Sequence, residues 1–353
     1  MIKLGVIGTG GMANHHATQF SAMEDVRIAA CCDVSKERRE AFAEKWKVPA
    51  PAVYADYRDM LENEPLDGIT NVTPDAMHAD ISIAVLEKNI PILCEKPMAS
   101  NLADARRMLE AARKAAVPNM INFSYRNSSG LQAAAEFVRG GGIGEIRHVE
   151  SSYLQSWLVS KGWGDWHDSP SLLWRLSTRH GSAGDLGDIG VHIYDLTSFL
   201  VGDIGSIYCQ LKTFDKGVPG NRVGEYVFDA NDSFASTVTF ANGALGTIHS
   251  SRWAVGQANS LRARVYGTQG GLEVDLDRSY EEYKVCLGED NIKTFKWETV
   301  KAPPTPSNYQ RFVNCIRSGR QDPSDFANGV KIQAYLHYSF ESDRLGRPVE
   351  VKL

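Results

Sequence analysis

Residues 2–13 read IKLGVIGTGGMA, an apolar run followed by a glycine-rich turn. The apolar run predicts a short buried strand, and Gly8, Gly10 and Ala13 match the pattern G-x-G-x-x-G/A that leads into a helix. Glycines at these positions allow a tight turn and let backbone N–H groups approach a pyrophosphate at the positive end of the helix. Because glycine turns also follow strands for purely structural reasons, the motif needs support from its surroundings.

Support comes from a second strand, VRIAACCD, which ends in Asp33, 22 residues after Gly11. A carboxylate at this point accepts the two ribose hydroxyls and repels a 2′-phosphate, which favours NAD over NADP. Lys36 and Arg38 lie close enough in sequence to offset that repulsion. We interpret them instead as a solvated face of the following helix.

Strands and helices then alternate up to residue 123, which predicts an α/β Rossmann domain with a doubly wound parallel sheet over residues 1–123. One of these helices spans Leu102–Ala115 and is capped by Ser100 or Asn101. In such sheets the ligand lies over the carboxyl ends of the strands. The predicted cofactor-binding residues are Gly8, Thr9, Gly10, Gly11, Met12, Asp33, Thr73, Pro74, His78, Glu95, Lys96 and Asn122.

Lys96 follows the apolar strand IPILC, so it is expected to point into the cofactor crevice. Pro97 biases the backbone of Lys96 away from helix, which limits where its ammonium group can lie. The alternative is a surface lysine that forms a salt bridge with Glu95.

Residues 124–353 predict a second, α+β domain for substrate binding and oligomerisation. Its strand-like runs form a large, mainly antiparallel, open-faced sheet, in which Asn242-Gly243 makes a tight hairpin turn. An open sheet face is suited to pairing with another subunit, so we expect a homodimer or homotetramer.

The segment GDLGDIGVHIYDL places Asp188, His192 and Asp195 four and three residues apart, on one face of a helix. Histidine titrates near neutral pH and can accept a proton, while a neighbouring carboxylate orients its ring. The structural alternative is a helix N-cap aspartate followed by a core histidine.

A tryptophan-rich segment, residues 153–175, contains four of the seven tryptophans of the chain. Aromatic faces stack on the C–H faces of sugar rings, and Trp174 and Arg175 are the best substrate-binding candidates because they lie nearest the Asp188–His192 motif. The alternative for this segment is a lid packed on the core or a subunit contact.

Together these motifs resemble the Gfo/Idh/MocA family of sugar and polyol dehydrogenases over nearly the whole chain. The resemblance rests on GVIGTGGMA, CEKPMA, FSYRN and GDLGDIGVHIYDL. It implies that Lys96 contacts both the nicotinamide ribose and the reacting hydroxyl, and that Asp188 and His192 are the catalytic aspartate and histidine. One departure is Asp185, which stands in a run that is glycine in many members and is expected to alter access to the pocket.

The bulk composition excludes several other classes. The net charge of -5, with no basic stripe, argues against nucleic acid, and no apolar run is long enough to span a membrane. The six cysteines show no metal-binding spacing, so we expect no metal and a reducing, cytoplasmic location.

The sequence thus predicts an NAD-dependent oxidoreductase that acts on a secondary hydroxyl of a sugar, inositol or sugar derivative. The predicted catalytic residues are Lys96, His192 and Asp188, and the substrate-binding residues are Lys96, Arg126, Trp174, Arg175, Asp188 and His192. Three alternatives remain open: an NADPH-dependent keto-sugar reductase, an NAD-assisted glycosidase and a non-catalytic dinucleotide sensor.

Overall fold

A computed structural model describes residues 1–353. Its strands are β1 (Ile2–Ile7), β2 (Val26–Cys32), β3 (Val53–Tyr54), β4 (Gly68–Asn71), β5 (Ile92–Cys94), β6 (Asn119–Ile121), β7 (Ile146–Leu154), β8 (Ile204–Lys212), β9 (Arg222–Val223), β10 (Tyr226–Val227), β11 (Ser233–Phe240), β12 (Leu245–Ser251), β13 (Ser260–Gly267), β14 (Gly270–Asp275), β15 (Glu282–Leu287), β16 (Glu298–Lys301) and β17 (Val349–Glu350). Its α-helices are α1 (Gly11–Ser21), α2 (Lys36–Trp46), α3 (Tyr57–Asn63), α4 (Asp75–Glu87), α5 (Leu102–Ala115), α6 (Ser129–Arg139), α7 (Trp157–Ser160), α8 (Pro170–Leu173), α9 (Val191–Val201), α10 (Glu289–Thr294), α11 (Asn308–Ser318) and α12 (Phe326–Leu345).

The first unit of the chain contains a six-stranded sheet in the order β3-β2-β1-β4-β5-β6, and every neighbouring pair is parallel. Strands β4, β5 and β6 are buried along their whole length, as expected for a sheet covered by helices on both faces. Helix α5 begins at Leu102 because the Asn101 side chain accepts a hydrogen bond from the backbone N–H of Asp104, at 2.9 Å. The predicted Rossmann architecture is confirmed.

This first unit comprises Met1–Ser124 and a later segment, Pro306–Gln333. The later segment was expected in the second domain, and the difference has a physical cause. Helix α11 buries Tyr309 and Phe312, and both rings contact Phe20 of α1, with centroids 5.3 and 6.3 Å away. A pairing between residues so far apart in sequence leaves no local signal.

The second unit comprises Tyr125–Thr305 and Ala334–Leu353. Its sheet has nine strands in the order β16-β15-β14-β13-β7-β12-β11-β8-β17, and only the β7–β12 pair is parallel. Asn242-Gly243 lies in the turn between β11 and β12, where Gly243 has a φ of 86°. The predicted α+β domain with a mainly antiparallel sheet is therefore confirmed.

The two faces of this sheet differ in composition. On β11, Phe234, Val238 and Phe240 are buried, whereas Ala235, Thr237 and Thr239 alternate with them and are exposed. The Tyr194 hydroxyl of α9 bonds Ser236 on the covered face, at 2.9 Å. The opposite face is left open, with small side chains along its centre.

The tryptophan-rich segment forms a core of its own within the second unit. Trp157, Trp166 and Phe228 are 2 to 3% exposed and pack together with three leucines, Leu158, Leu173 and Leu176. Trp163, in contrast, is 50% exposed. The segment therefore packs largely as a structural cluster, with two short helices, α7 and α8, where irregular structure was expected.

No helix of the chain has both the length and the apolar character that crossing a bilayer requires. No cluster of His, Cys, Asp and Glu side chains is arranged to hold a metal ion.

Candidate active site

The glycine loop connects β1 to α1 in the first unit. Gly8 has a φ of 86°, and a Cβ there would lie 2.7 Å from the carbonyl oxygen of Val72, so only glycine fits. A Cβ on Gly10 or Gly11 would instead meet nothing within 4 Å. The first turn of α1 has no side-chain cap and no acidic residue. The loop thus offers backbone donors and open space to an anionic group, which fits the pyrophosphate of a dinucleotide.

Asp33 lies just beyond β2 and is held by four donors. Its carboxylate accepts bonds from the Thr9 backbone N–H at 2.9 Å, the Thr9 hydroxyl at 3.0 Å, the Ser35 N–H at 2.9 Å and the Arg38 Nη2 at 2.8 Å. Partial burial opposes ionisation, but these bonds outweigh it and lower the pKa of Asp33 to about 2. The carboxylate is therefore ionised and positioned next to the glycine loop, as binding ribose hydroxyls requires.

Arg38 corrects our interpretation of the residues around Asp33. Lys36 does lie on a solvated helix face, with its side chain 69% exposed and paired only with Glu40. Arg38 instead folds back onto the Asp33 carboxylate. A cation therefore lies directly at the group expected to choose between NAD and NADP.

Glu95 and Asn122 are buried, 8% and 1% exposed, and they bond each other at 2.7 Å. Glu95 also accepts a bond from the His16 Nε2 at 2.8 Å. Burial opposes the charge of Glu95, but His16 and Asn122 outweigh it and lower its pKa to about 2. The Asn122 oxygen accepts a bond from Asn308. Both residues thus support the loop from inside the protein, where we had expected contact with the cofactor.

His78 was also expected at the cofactor, but only 1% of its surface is exposed. Its ring nitrogens lie 2.8 Å from the carbonyl oxygens of Pro97 and Thr73. The Thr73 hydroxyl bonds Asn71 at 2.7 Å, and Pro74 precedes the first residue of α4. His78 therefore ties together the two loops that follow β4 and β5.

Lys96 lies between Glu95, which contacts His16, and Pro97, whose carbonyl oxygen contacts His78. Its backbone N–H donates to the Glu95 carboxylate at 3.2 Å, and the side chain is partly exposed. Met12, on the first turn of α1, is 47% exposed. Of the predicted cofactor residues, Lys96, Met12, Gly10 and Gly11 are thus accessible, while Gly8, Thr9, His78, Glu95 and Asn122 are buried.

In the second unit, Asp188 and His192 lie on a π-helical turn, Leu186–Gly190, and on the first turn of α9 that follows it. Such turns often mark functional sites. The Asp188 carboxylate accepts a bond from the Arg252 Nη2 at 3.0 Å and lies 3.4 Å from the Arg175 Nε. Asp188 is therefore an accessible carboxylate, its side chain 27% exposed, that two guanidinium groups hold in place.

His192 is flanked by a closed cluster of neutral polar groups. The Tyr125 ring meets the imidazole edge to face, with centroids 4.8 Å apart. The Tyr125 and Tyr153 hydroxyls are 2.6 Å apart, Tyr153 donates to Asn259 at 2.5 Å, and Asn259 donates back to Tyr125 at 2.9 Å. Burial raises the pKa of both phenols, so they stay neutral.

Trp174 and Arg175, the substrate candidates of the tryptophan-rich segment, are both partly exposed. The Arg175 guanidinium lies 4.7 Å from the centre of the Trp174 ring, and the Trp174 side chain is 37% exposed. Arg175 therefore contacts both an aromatic face and Asp188, and both residues remain candidates for substrate contact.

Arg126 and Asp195 pair with each other inside the second unit. They form a two-bonded ion pair, at 2.8 and 2.7 Å, in which each side chain is at most 4% exposed. The pair leaves Arg126 buried, only 3% exposed, and its role as a substrate ligand stays a prediction. Asp195 lies on α9 three residues after His192, as the spacing predicts.

Asp185 is fully buried, so it cannot line an access route to the pocket as we had expected. It accepts a hydrogen bond from the Ser250 hydroxyl and lies 3.9 Å from the Arg252 Nε. Burial outweighs the guanidinium and raises the pKa of Asp185 to about 8. The side chain is therefore mostly protonated at neutral pH.

Sequence reasoning missed Arg252, Tyr125 and Tyr153. Arg252 is fully buried directly after β12 and also donates to the carbonyl oxygens of Gly184 and Arg175. From sequence alone, an arginine at the end of a strand is expected to lie at the surface, so the burial of Arg252 was not predicted. The only sequence signal for any of the three was the FSYRN motif, from which Arg126 rather than Tyr125 is predicted to bind substrate.

A glycine loop with an ionised acid after the second strand is typical of enzymes that bind nicotinamide dinucleotides. Comparison with known proteins agrees, because residues 2–123 match the family described as "Oxidoreductase family, NAD-binding Rossmann fold". Residues 131–273 match the "GFO/IDH/MocA C-terminal domain". The protein is therefore an NAD-binding oxidoreductase, and it belongs to the Gfo/Idh/MocA family.

Individual relatives are more distant. A levoglucosan dehydrogenase of Pseudarthrobacter phenanthrenivorans is 27% identical over 86% of this chain and 80% of its own length. A D-apiose dehydrogenase of Paraburkholderia graminis is 25% identical over 99% and 90%. A solved levoglucosan dehydrogenase in complex with NADH superposes with a TM-score of 0.88 at 24% identity and covers 99% of each chain, which shows the shared fold.

Proposed function

We propose that the protein oxidises a secondary hydroxyl group of a sugar, polyol or sugar derivative with NAD. The observation that carries this proposal is the Asp188–His192 turn beside the Tyr125–Tyr153–Asn259 cluster, which places a titratable imidazole among neutral hydroxyl and amide groups. The curated relatives support it, since they are named as dehydrogenases of two carbohydrates, levoglucosan and D-apiose.

Each proposed catalytic residue has one task. A bound nicotinamide dinucleotide supplies the hydride acceptor. His192 takes the proton from the reacting hydroxyl, and the Lys96 ammonium stabilises the negative charge that develops on its oxygen. Asp188 accepts a hydrogen bond from a second hydroxyl group and thereby orients the ring.

The charge balance of the second unit favours a neutral substrate. The accessible carboxylate of Asp188 is already matched by Arg252 and Arg175. The tyrosine and amide groups beside His192 are uncharged hydrogen-bonding partners, which suit hydroxyl groups. A partly exposed Trp174 ring offers a surface for the apolar face of a sugar ring.

One observation favours a second candidate function, an NADPH-dependent keto-sugar reductase. The Arg38 guanidinium lies on Asp33 and is 56% exposed, so it is available to a 2′-phosphate if it leaves the carboxylate. The two candidates share the same catalytic residues and differ in cofactor and direction.

The test is a spectrophotometric assay of the purified protein with NAD or NADPH and a panel of sugars and polyols, followed at 340 nm. We expect net reduction of NAD with at least one substrate. Lys96→Ala and His192→Ala should each lower kcat by about two to four orders of magnitude, the range for loss of one positioned catalytic group. Lys96→Arg should not restore it, because a planar guanidinium cannot replace a compact ammonium charge.

Lys114→Ala, at an exposed position on α5, serves as the matched control and should keep wild-type turnover. If Lys96→Ala keeps more than about a tenth of the wild-type kcat, well above the expected range, Lys96 is not catalytic. Absence of net cofactor turnover with hydrolysis of a glycoside would instead favour an NAD-assisted glycosidase.

A further inference from the structure

Two buried histidines border the loop that carries Lys96, and the proposed chemistry uses neither. His16 lies on α1 and His78 on α4, and they are 0% and 1% exposed. Each makes polar contacts with a residue directly next to Lys96, His16 with Glu95 and His78 with Pro97. A histidine in a protein interior must have partners for both ring nitrogens, so these contacts are informative about protonation.

Both nitrogens of His78 face backbone carbonyl oxygens, Pro97 at 2.8 Å and Thr73 at 2.8 Å. A carbonyl oxygen can only accept a hydrogen bond, so both ring nitrogens must donate, and only the imidazolium form has two N–H groups. Burial disfavours this charge, but the Cys94 thiol and the two carbonyl groups outweigh it and raise the pKa of His78 to about 9. The two carbonyl contacts thus favour the imidazolium form of His78.

His16 fixes the other side of the loop. Its Nε2 donates to Glu95 Oε1 at 2.8 Å, while its Nδ1 contacts the Thr70 hydroxyl at 2.7 Å. The second oxygen of the Glu95 carboxylate accepts the backbone N–H of Lys96 at 3.2 Å. The chain from α1 to Lys96 is thus continuous: His16 holds Glu95, and Glu95 holds the Lys96 backbone.

We propose that His16 and His78 are positioning residues that clamp the backbone on both sides of Lys96 and so fix where its ammonium group lies. This inference rests on the proposed catalytic role of Lys96. A displacement of about 1 Å of a catalytic group can cost about a hundredfold in rate. The Glu-Lys-Pro loop follows a three-residue strand, and the two clamps supply the rigidity that so short a strand does not.

The two histidines also connect the Lys96 loop to helix α1 and to the loop after β4. His16 belongs to the helix that begins at the glycine loop, and Thr73 lies in the loop after β4. Three segments that approach the dinucleotide are therefore tied to each other through two imidazole rings.

The test combines His78→Gln and His16→Gln with Lys96→Ala. A glutamine amide replaces only one of the two ring donors of His78 and carries no charge. We expect each histidine variant to lower kcat by about tenfold to a hundredfold, and to change the Kd for NAD less than it changes kcat. His337→Gln, at an exposed position on α12, is the control and should leave kcat unaltered.

The decisive measurement is the double-mutant cycle, because residues that act through one another are not additive. If the histidines act through Lys96, His78→Gln and His16→Gln should have no further effect on the residual kcat of Lys96→Ala. A full additional loss in that background overturns the clamp proposal and leaves the function of Lys96 intact. Wild-type turnover in Lys96→Ala alone instead overturns the proposed function, and with it the clamp.

A second measurement does not depend on the variants folding. Nitrogen-15 NMR of histidine-labelled wild-type protein distinguishes a protonated from an unprotonated ring nitrogen. We expect one buried histidine, whose signal does not respond to solvent pH between 6 and 8, to have both nitrogens protonated, since the pKa of His78 is about 9. If every buried ring has an unprotonated nitrogen at pH 7, the clamp at His78 is wrong.

Discussion

The Asp33 carboxylate accepts hydrogen bonds from Thr9, Ser35 and Arg38, and of these Arg38 has a largely exposed side chain. Thr9 and Ser35 donate from fixed backbone positions, whereas Arg38 reaches the carboxylate from α2 with more than half of its side chain exposed. The Asp33 side chain is only 7% exposed, so the pair is not an ordinary surface ion pair. Arg38 helps to hold the carboxylate, and its exposed guanidinium makes it a candidate determinant of cofactor preference.

We predict that the wild-type protein uses NAD with a higher kcat/KM than NADP. Arg38→Ala should increase the ratio of kcat/KM for NAD over NADP severalfold, because it removes the guanidinium that lies on the Asp33 carboxylate. Asp33→Ala should decrease the same ratio by weakening NAD and freeing Arg38. Steady-state kinetics with both cofactors measure these ratios.

Lys36→Ala is the matched control for this experiment, since Lys36 pairs only with Glu40 and should leave the ratio unchanged. A wild-type preference for NADP, or a decrease of the ratio in Arg38→Ala, would mean that Arg38 already serves a 2′-phosphate. The keto-sugar reductase would then become the better description.

Local sequence could predict residues whose function follows from backbone position. The glycines, Asp33 and Lys96 lie at strand ends that the alternation of strands and helices places correctly. It did not indicate that Arg126, His78 and Asn122 are buried, because whether a polar side chain faces the surface or the interior depends on distant partners.

At the scale of a single element, the turn that carries Asp188 is preceded by a fully buried acid, Asp185, which the proposed chemistry does not use. Asp185 lies three residues before Asp188 and faces Ser250, Arg252 and, more remotely, Asp188 and Asp232. Its pKa of about 8 exceeds the ordinary value of 3.8, so the folded chain keeps the proton that the unfolded chain releases. The free energy of unfolding should therefore fall as pH rises from about 4 to about 8.

We predict that Asp185→Asn removes this fall, because an amide does not titrate. The free energy of unfolding of the variant, relative to wild type, should increase between pH 5 and 7.5 by up to about 1.4 kcal/mol for each pH unit. Urea titrations followed by tryptophan fluorescence measure it, since six of the seven tryptophans lie in the second unit.

Asp168→Asn, at an exposed position in the tryptophan-rich segment, is the control. Its free energy of unfolding should show the same pH dependence as that of wild type. If the free energies of unfolding of Asp185→Asn and wild type instead change in parallel with pH, Asp185 is ionised in the folded chain. The guanidinium of Arg252 would then outweigh burial.

Elements with a strong local signal were predicted closely. Helix α5 begins at Leu102, as its capping residue indicates, and the Asn242-Gly243 turn joins β11 to β12. Strands β14 to β16 were missed because their alternation is weak and charged residues line their exposed face. The burial of Trp157 and Trp166 was likewise not predicted, because composition alone does not distinguish a buried aromatic side chain from an accessible one.

At the scale of the whole molecule, the fold leaves one large surface without a partner in the chain. The open face of the nine-stranded sheet presents Ala235, Thr237 and Thr239 of β11 beside Thr247 of β12, all exposed. Arg264 bridges Glu150 and Glu273 toward one side of this face. The small side chains of β11 leave room for a second sheet to approach to the usual separation of about 10 Å.

We predict that two copies of the chain pair through this face, giving a homodimer or, with a second contact, a homotetramer. Thr237→Arg lies at the centre of the face, and a two-fold arrangement would bring the introduced charge of each copy close to that of the other. The variant should therefore dissociate to monomers at micromolar concentration, whereas wild type should not. Size-exclusion chromatography with light scattering gives both masses. Thr294→Arg, which adds the same charge on the exposed side of α10, should keep the wild-type mass. A monomeric wild-type protein, or an unchanged mass for Thr237→Arg, would assign the open face to solvent and require another explanation for its run of small side chains.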